Sequence, residues 1–145
     1  MSGEEDWAAL VPELMVSDVE RSRDFYCGLC GFSLRYERPE DRFLYLQMGR
    51  AQIMLEEVDW EEGWMTAPLE RPFGRGINLQ IEVEDVASLS GRLEAAGIRP
   101  FRPLHEAWYR DGAMEHGQAQ MLVQDPDGYL LRFVEDLGTR PAVEM

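Results

Sequence analysis

Lysine is absent from this chain; all 14 of its basic residues are arginine. Schiff-base enzymes, a P-loop lysine and a lysine general base are thereby excluded. Histidine occurs only at His105 and His116, and cysteine only at Cys27 and Cys30. The C-G-L-C spacing suits a redox pair or half of a zinc site, but tetrahedral zinc asks for four ligands and the histidines are far away in sequence. The pair also falls at a predicted helix C-terminus, where the dipole opposes a thiolate, so both are read as structural. No apolar run reaches the roughly 18 residues of a membrane helix, and the N-terminus opens acidic rather than basic. The expectation is a cytoplasmic protein without membrane partners. Against 14 basic residues stand 28 acidic ones, a formal charge of −14, which opposes nucleic acid as a partner. At 145 residues the chain is one domain of ordinary size, and burial of roughly two-thirds of its unfolded surface makes staples unnecessary for folding.

What the chain does contain is an internal repeat. Val16-Ser-Asp-Val19 leads to Gly31, and Val83-Glu-Asp-Val86 leads to Gly97, a separation of 67 residues. Each copy reads as an apolar strand, an acidic helix start and a helix that stops at glycine. Val19, Ser22, Phe25, Tyr26 and Leu29 form one buried stripe; Val86, Leu89, Leu93 and Ala96 form the other. Ser17 with Glu20 predicts a capping box, and Asp85 caps the second helix. Alternating segments follow: Phe32 to Tyr36, Phe43 to Met48 and Gln52 to Glu56, then Ile98 to Leu104, Ala119 to Gln124 and Tyr129 to Glu135. Asp125-Pro-Asp-Gly128 reads as a hairpin turn.

The predicted fold is therefore α+β: two repeated βαβββ units, residues 11–57 and 76–137, joined by a linker at 58–75. An acidic N-terminal tail occupies 1–10 and a C-terminal tail 138–145. A long loop is expected from His105 to Gly117.

Strand alternation places Val11, Glu13 and Met15 on one face, and Asn78, Gln80 and Glu82 on the equivalent face of the second unit. If that face lines a pocket, Arg132 joins it, and Glu13, Gln80 and Arg132 are polar fixtures for a ligand; the alternative is a self-satisfied Glu13–Arg132 pair. Trp60 and Trp64 in the linker, with Trp108 and Tyr109 in the second loop, lie among Asp59, Glu61, Glu62, Glu106, Asp111 and Glu115. Indole faces ringed by carboxylates suit a large, planar, cationic ligand; the alternative is that these rings clamp the linker and a subunit seam. His116 reads as a stacking platform, a general base or a plain loop residue. His105-Glu106 and Glu115-His116 resemble metal dyads, but strand neighbours point to opposite faces.

The segment V-P-E-L-M-V-S-D-V, followed by R-D-F-Y-C-G-L-C-G-F and by D-P-D-G-Y-L-L-R-F-V-E near the end, is similar to the vicinal-oxygen-chelate superfamily. Within it the chain most resembles the bleomycin resistance proteins, from Val11 to Leu137. That resemblance implies sheets curled into one mixed layer around a concave pocket, with helices outside, and a homodimer, for which Pro12 marks the expected point of arm exchange. It also fixes where the superfamily's enzymes carry metal ligands. Here those places hold Val11, Met54, Asn78 and Arg132, and a guanidinium repels a divalent cation. The expectation is a protein without metal or other cofactor that is not an enzyme and sequesters a bleomycin-type antibiotic. Its candidate ligand-binding residues are Glu13, Tyr45, Asn78, Gln80 and Arg132 on the strands, with Trp60, Trp64, Trp108, Tyr109 and His116 in the irregular stretches. The alternatives are a metal-dependent glyoxalase, dioxygenase or thiol transferase using Glu13, His105, His116 or Glu135, and a sensor of an aromatic metabolite.

Overall fold

The computed structural model describes residues 6–61 and 63–143. Its elements run β1 (Glu13–Val16), α1 (Val19–Arg23), a π-helical segment (Asp24–Leu29), β2 (Ser33–Arg38), a 3-10 turn (Pro39–Asp41), β3 (Phe43–Met48) and β4 (Ala51–Glu57). They continue with β5 (Asn78–Glu82), α2 (Val86–Ala95), β6 (Arg102–Asp111), β7 (Met114–Gln124) and β8 (Leu130–Pro141). Two four-stranded mixed sheets result, ordered β1-β4-β3-β2 and β5-β8-β7-β6. The α+β class and the βαβββ repeat are as expected. Contacts divide the chain into two units, Met1–Phe73 with Asp125–Gly128, and Gly74–Gln124 with Tyr129–Met145.

The repeat reappears in the register. Glu13 lies opposite Met54 in the parallel β1–β4 pair, and Gln80 lies opposite Arg132 in β5–β8. Both helices start on aspartate. Asp85 accepts from the Ser88 amide at 3.0 Å. In the first unit the cap is Asp18, which accepts from the Glu20 and Arg21 amides. The capping box expected from Ser17 is thus displaced by one residue, because Ser17 is spent elsewhere: its amide and hydroxyl both donate to Asp127. The first helix widens into a π-helix, with the Cys30 amide donating to the Phe25 carbonyl at 2.9 Å, and Gly31 ends it at φ +96°.

In the first unit Leu14, Val16, Leu44, Leu46, Ile53 and Leu55 alternate onto one sheet face and are buried, as are Val19, Phe25, Tyr26 and Phe32. In the second, Ile81, Met121, Val123, Leu131 and Phe133 are buried with Val86, Leu89 and Leu93 of α2. Each such side chain contributes about 1.5–3 kcal/mol by leaving water.

Three expectations fail locally. The supposed loop His105–Gly117 is strand, a long β6–β7 hairpin turning at Gly112-Ala113. The supposed C-terminal tail is strand through Pro141, with Gly138 to Pro141 paired to Met114–Gly117. The N-terminal tail is docked from Asp6 onward: the Ala8 amide donates to Gln52 at 2.9 Å, and Trp7 meets Tyr45 edge-on at 5.1 Å between centroids. Among the described residues, no helix is long and apolar enough to cross a membrane.

Candidate functional site

In the first unit, antiparallel pairing of β3 with β4 sets Phe43 opposite Glu56. The chain before β3 is thereby brought beside the chain after β4, and the Glu57 amide donates to the Arg42 carbonyl at 3.0 Å. Between these stretches lies a recess of about 860 Å³, lined by Glu40, Asp41 and Arg42 on one side and by 56–61, Gly63 and Trp64 on the other. Trp60 and Trp64 are 64% and 78% exposed, so their ring faces are available.

The lining holds six carboxylates, from Glu40, Asp41, Glu56, Glu57, Asp59 and Glu61, and one guanidinium. Arg42 pairs with Glu57, whose other oxygen accepts from the Val19 amide at the start of α1. Asp41 pairs with Arg38 at 3.0 Å. Negative charge in excess remains on Glu40, Glu56 and Glu61. Two open indoles among uncompensated carboxylates are suited to a flat cation, which gains stacking, cation-π attraction of about 0.5–2 kcal/mol per ring and charge complementarity.

Of the residues singled out in the sequence, Asp59, Trp60, Glu61 and Trp64 come together here; Glu62 lies outside the described residues. Glu40, Asp41, Glu56 and Glu57 join them, which the local sequence does not indicate. The hairpin register was the signal that could have found them, because it brings two distant acidic runs side by side.

The other candidates are placed as follows. Glu13 is half-buried, and burial and the Glu56 carboxylate push its carboxyl above the ordinary range, against a smaller opposing pull from Arg38. Tyr45 is buried; its hydroxyl donates to Gln52 and its ring stacks on Tyr36 with centroids 5.2 Å apart. Asn78 and Gln80 are exposed on β5, and Arg132 is half-buried on β8. Trp108 stands in β6 opposite Gly117, so close that a Cβ there would come within 2.5 Å of the ring, and the Arg140 guanidinium lies 3.8 Å from its centroid. Tyr109 lies opposite His116 in the β6–β7 pair, and its hydroxyl accepts from Gln120 at 2.8 Å. His116 is exposed and pairs with Asp111 at 2.8 Å.

The superfamily's metal does not fit the residues at its expected positions: Val11 offers hydrocarbon, Met54 a thioether, Asn78 a carboxamide and Arg132 a cation. Among the described residues, no three His, Cys, Asp or Glu side chains converge in a way that could hold a metal ion. Glu135, one residue of the alternative set, accepts from the Val86 amide at the start of α2. It lies on the sheet face opposite to His105, since Ala119 faces Glu135 while the adjacent Gln120 faces His105. Cys27 and Cys30 are not joined in a disulfide, and burial pushes the Cys27 thiol up, away from a reactive thiolate.

Comparison with known proteins agrees with this architecture. A bleomycin resistance protein from Geobacillus stearothermophilus is 29% identical over 136 residues, spanning 88% of this chain and 96% of the relative. A lactoylglutathione lyase from Neisseria meningitidis is 30% identical over 126 residues, spanning 84% and 86%. Among solved structures, TioX from Micromonospora sp. ML1 superposes with a TM-score of 0.68 at 25% identity, covering 90% of this chain and all of that one. The profile of the Glyoxalase/Bleomycin resistance protein/Dioxygenase superfamily matches residues 7–133, and the chain belongs to that superfamily.

Proposed function

We propose that this protein is a non-catalytic binder that sequesters a planar, cationic small molecule of the bleomycin type. The observation that carries the reading is the recess of the first unit, where Trp60 and Trp64 stand exposed among six carboxylates and one arginine. Relatives bearing the name bleomycin resistance protein support the ligand class. The ligand-poor chemistry of Val11, Met54, Asn78 and Arg132 supports binding without catalysis. Affinity comes from ring stacking and charge complementarity, and no bond of the ligand is broken. In this reading the protein is a cytoplasmic homodimer; light scattering showing a monomer at tens of micromolar overturns the dimer.

The deciding experiment is calorimetric titration with a bleomycin-type drug, with and without its copper. The expected result is saturable heat in both forms, and no heat at high micromolar drug removes the reading.

One observation favours a second reading, a metal-dependent enzyme of the lactoylglutathione lyase kind: relatives of that name match at 30% identity. Elemental analysis of protein purified without added metal separates the two. Stoichiometric zinc, nickel, iron or manganese selects the enzyme.

A further inference from the structure

Glu57 has one task in the fold and an oxygen to spare. Its Oε1 accepts from the Val19 amide at 3.0 Å, at the start of α1, and in the other copy of the repeat Glu135 accepts from the Val86 amide, also at 3.0 Å, at the start of α2. Among the described residues no guanidinium pairs with Glu135, so the helix start is held without one. Glu57 differs in its second oxygen: Oε2 holds the Arg42 guanidinium at the wall of the recess. Along β4, Glu57 shares the helix side of the sheet with Ile53 and Leu55, whereas Met54, at one of the superfamily's metal places, points to the opposite side.

Arginine is a costly choice at position 42. Its φ is +51°, a left-handed conformation that glycine adopts freely, and among the described residues it is the one residue other than glycine with positive φ. Such an outlier beside a cavity calls for a functional reason. The two partners of the ion pair are also unequal: the Arg42 side chain is 68% exposed, the Glu57 side chain 18%. The carboxylate is fixed by a helix amide and half-enclosed, while the guanidinium reaches in from water on a long, flexible stem. A pair with so exposed a cation is weak, and Arg42 is the partner that can leave.

We infer that Arg42 stands in for the ligand: Glu57 receives an amidinium or guanidinium group of a flat cation, which takes the place of the Arg42 guanidinium while the rest of the molecule lies in the recess lined by Trp60 and Trp64. The group that replaces a guanidinium on a carboxylate is best a planar one with parallel N–H donors and weak hydration. A quaternary ammonium brings charge but no donor. Arg42 is thereby a specificity-determining residue: it covers Glu57 against cations that cannot match it and yields to those that can. The inference rests on the proposed binding role of the recess, and adds the head group that the recess takes and the residue that regulates it.

The test is a titration of the full-length, 15N-labelled protein with benzamidine hydrochloride, followed through the Val19 amide signal, which reads Glu57 directly, and through the indole signals of Trp60 and Trp64. Wild type, Arg42→Gly, Glu57→Gln and the double variant are compared. Glycine suits the left-handed backbone and the glutamine oxygen still accepts from Val19, so the unfolding midpoints report that each variant is folded. Wild type is expected to bind with a dissociation constant of about 1–10 mM, as befits so small a ligand. Arg42→Gly is expected to bind about three- to five-fold tighter, because the competing guanidinium is gone, and Glu57→Gln about ten-fold weaker. In the Glu57→Gln background the gain from Arg42→Gly is expected to vanish, since no carboxylate is left to cover. A gain of equal size in both backgrounds is a through-space charge effect and overturns the inference, as does an Arg42→Gly variant that binds no better than wild type. It is equally overturned by benzyltrimethylammonium, a cation without N–H, matching the affinity of benzamidine, or by no saturable benzamidine binding. A bleomycin-type drug that binds while benzamidine does not overturns this inference alone. Benzamidine binding in the expected pattern, with no heat from the drug, removes the drug and keeps the role of Arg42.

Discussion

The Tyr26 hydroxyl donates to Asp125 across 2.7 Å in a site where Tyr26 is fully buried and Asp125 nearly so. Asp125 opens the turn between β7 and β8, two strands of the second sheet, yet residues Asp125–Gly128 belong with the first unit. Asp127 completes the attachment by accepting from Ser17, through both amide and hydroxyl, and from Arg71 at 3.0 Å. Gly128, at φ +100°, leaves no room for a Cβ, which would meet Pro72 at 2.5 Å. The D-P-D-G sequence therefore does more than reverse the chain. Its two carboxylates are held by Tyr26, Ser17 and Arg71, all within the first unit.

Removing the Tyr26 hydroxyl leaves the Asp125 carboxylate short of a donor in a buried place. Tyr26→Phe is expected to cost about 1–3 kcal/mol, and Asp127→Ala, which strips three donors of their acceptor, a similar amount or more. Urea unfolding measures both. A loss below about 0.5 kcal/mol, the ordinary scatter of surface changes, contradicts the role given to the turn.

Gly117 is expected to tolerate no side chain. In Gly117→Ala the new methyl forces the Trp108 ring off its seat and away from Arg140, at a cost of about 1–3 kcal/mol typical of overpacking. Near-ultraviolet circular dichroism reports the ring's movement. An unchanged spectrum with unchanged stability contradicts the packing described here.

Glu13 binds its proton more tightly in the folded chain than in the unfolded one, because burial and Glu56 raise its carboxyl. The stabilisation this gives is fully present below the unfolded value and is lost as pH rises through the raised one. Glu13→Gln is therefore expected to be more stable than wild type at neutral pH, with the advantage vanishing as pH falls below the ordinary carboxyl value of about 4.3. Thermal midpoints of both proteins across that range give the comparison. A variant less stable than wild type at neutral pH runs against it.

Much of the fold was legible. The separation of 67 residues between Val16 and Val83 also separates Glu13 from Gln80, whose strand partners are Met54 and Arg132; of the two predicted stripes, 19-22-25-26 and 86-89-93 are buried, whereas Leu29 is half-buried and Ala96 exposed. The β6–β7 hairpin was not legible, because Gly117 and the charged residues around Trp108 and His116 read as loop until the ring is seen lying on the glycine. Nor was the acidic recess complete. Asp59 to Trp64 are visible as a run, whereas Glu40, Asp41 and Glu56 join them only through strand register. A side chain's local pattern shows its face, but not which distant segment will share it.

Binding to the recess is expected to weaken with salt, since several of its carboxylates act over distances comparable to the Debye length of about 10 Å at 0.1 M. Raising sodium chloride from about 0.05 to 0.5 M shortens that length several-fold and is expected to lower affinity for a cationic drug. Calorimetry at the two salt concentrations reports it, and an affinity indifferent to salt contradicts charge complementarity.

The most direct measurement compares wild type with the Trp60→Ala/Trp64→Ala double variant by titration with the same bleomycin-type drug under one set of conditions. Because neither exposed indole supports the core, the variant is expected to keep its unfolding midpoint while its affinity falls by at least about ten-fold, equivalent to roughly 1.4 kcal/mol. Undiminished binding by a folded variant would place the ligand elsewhere and contradict the account.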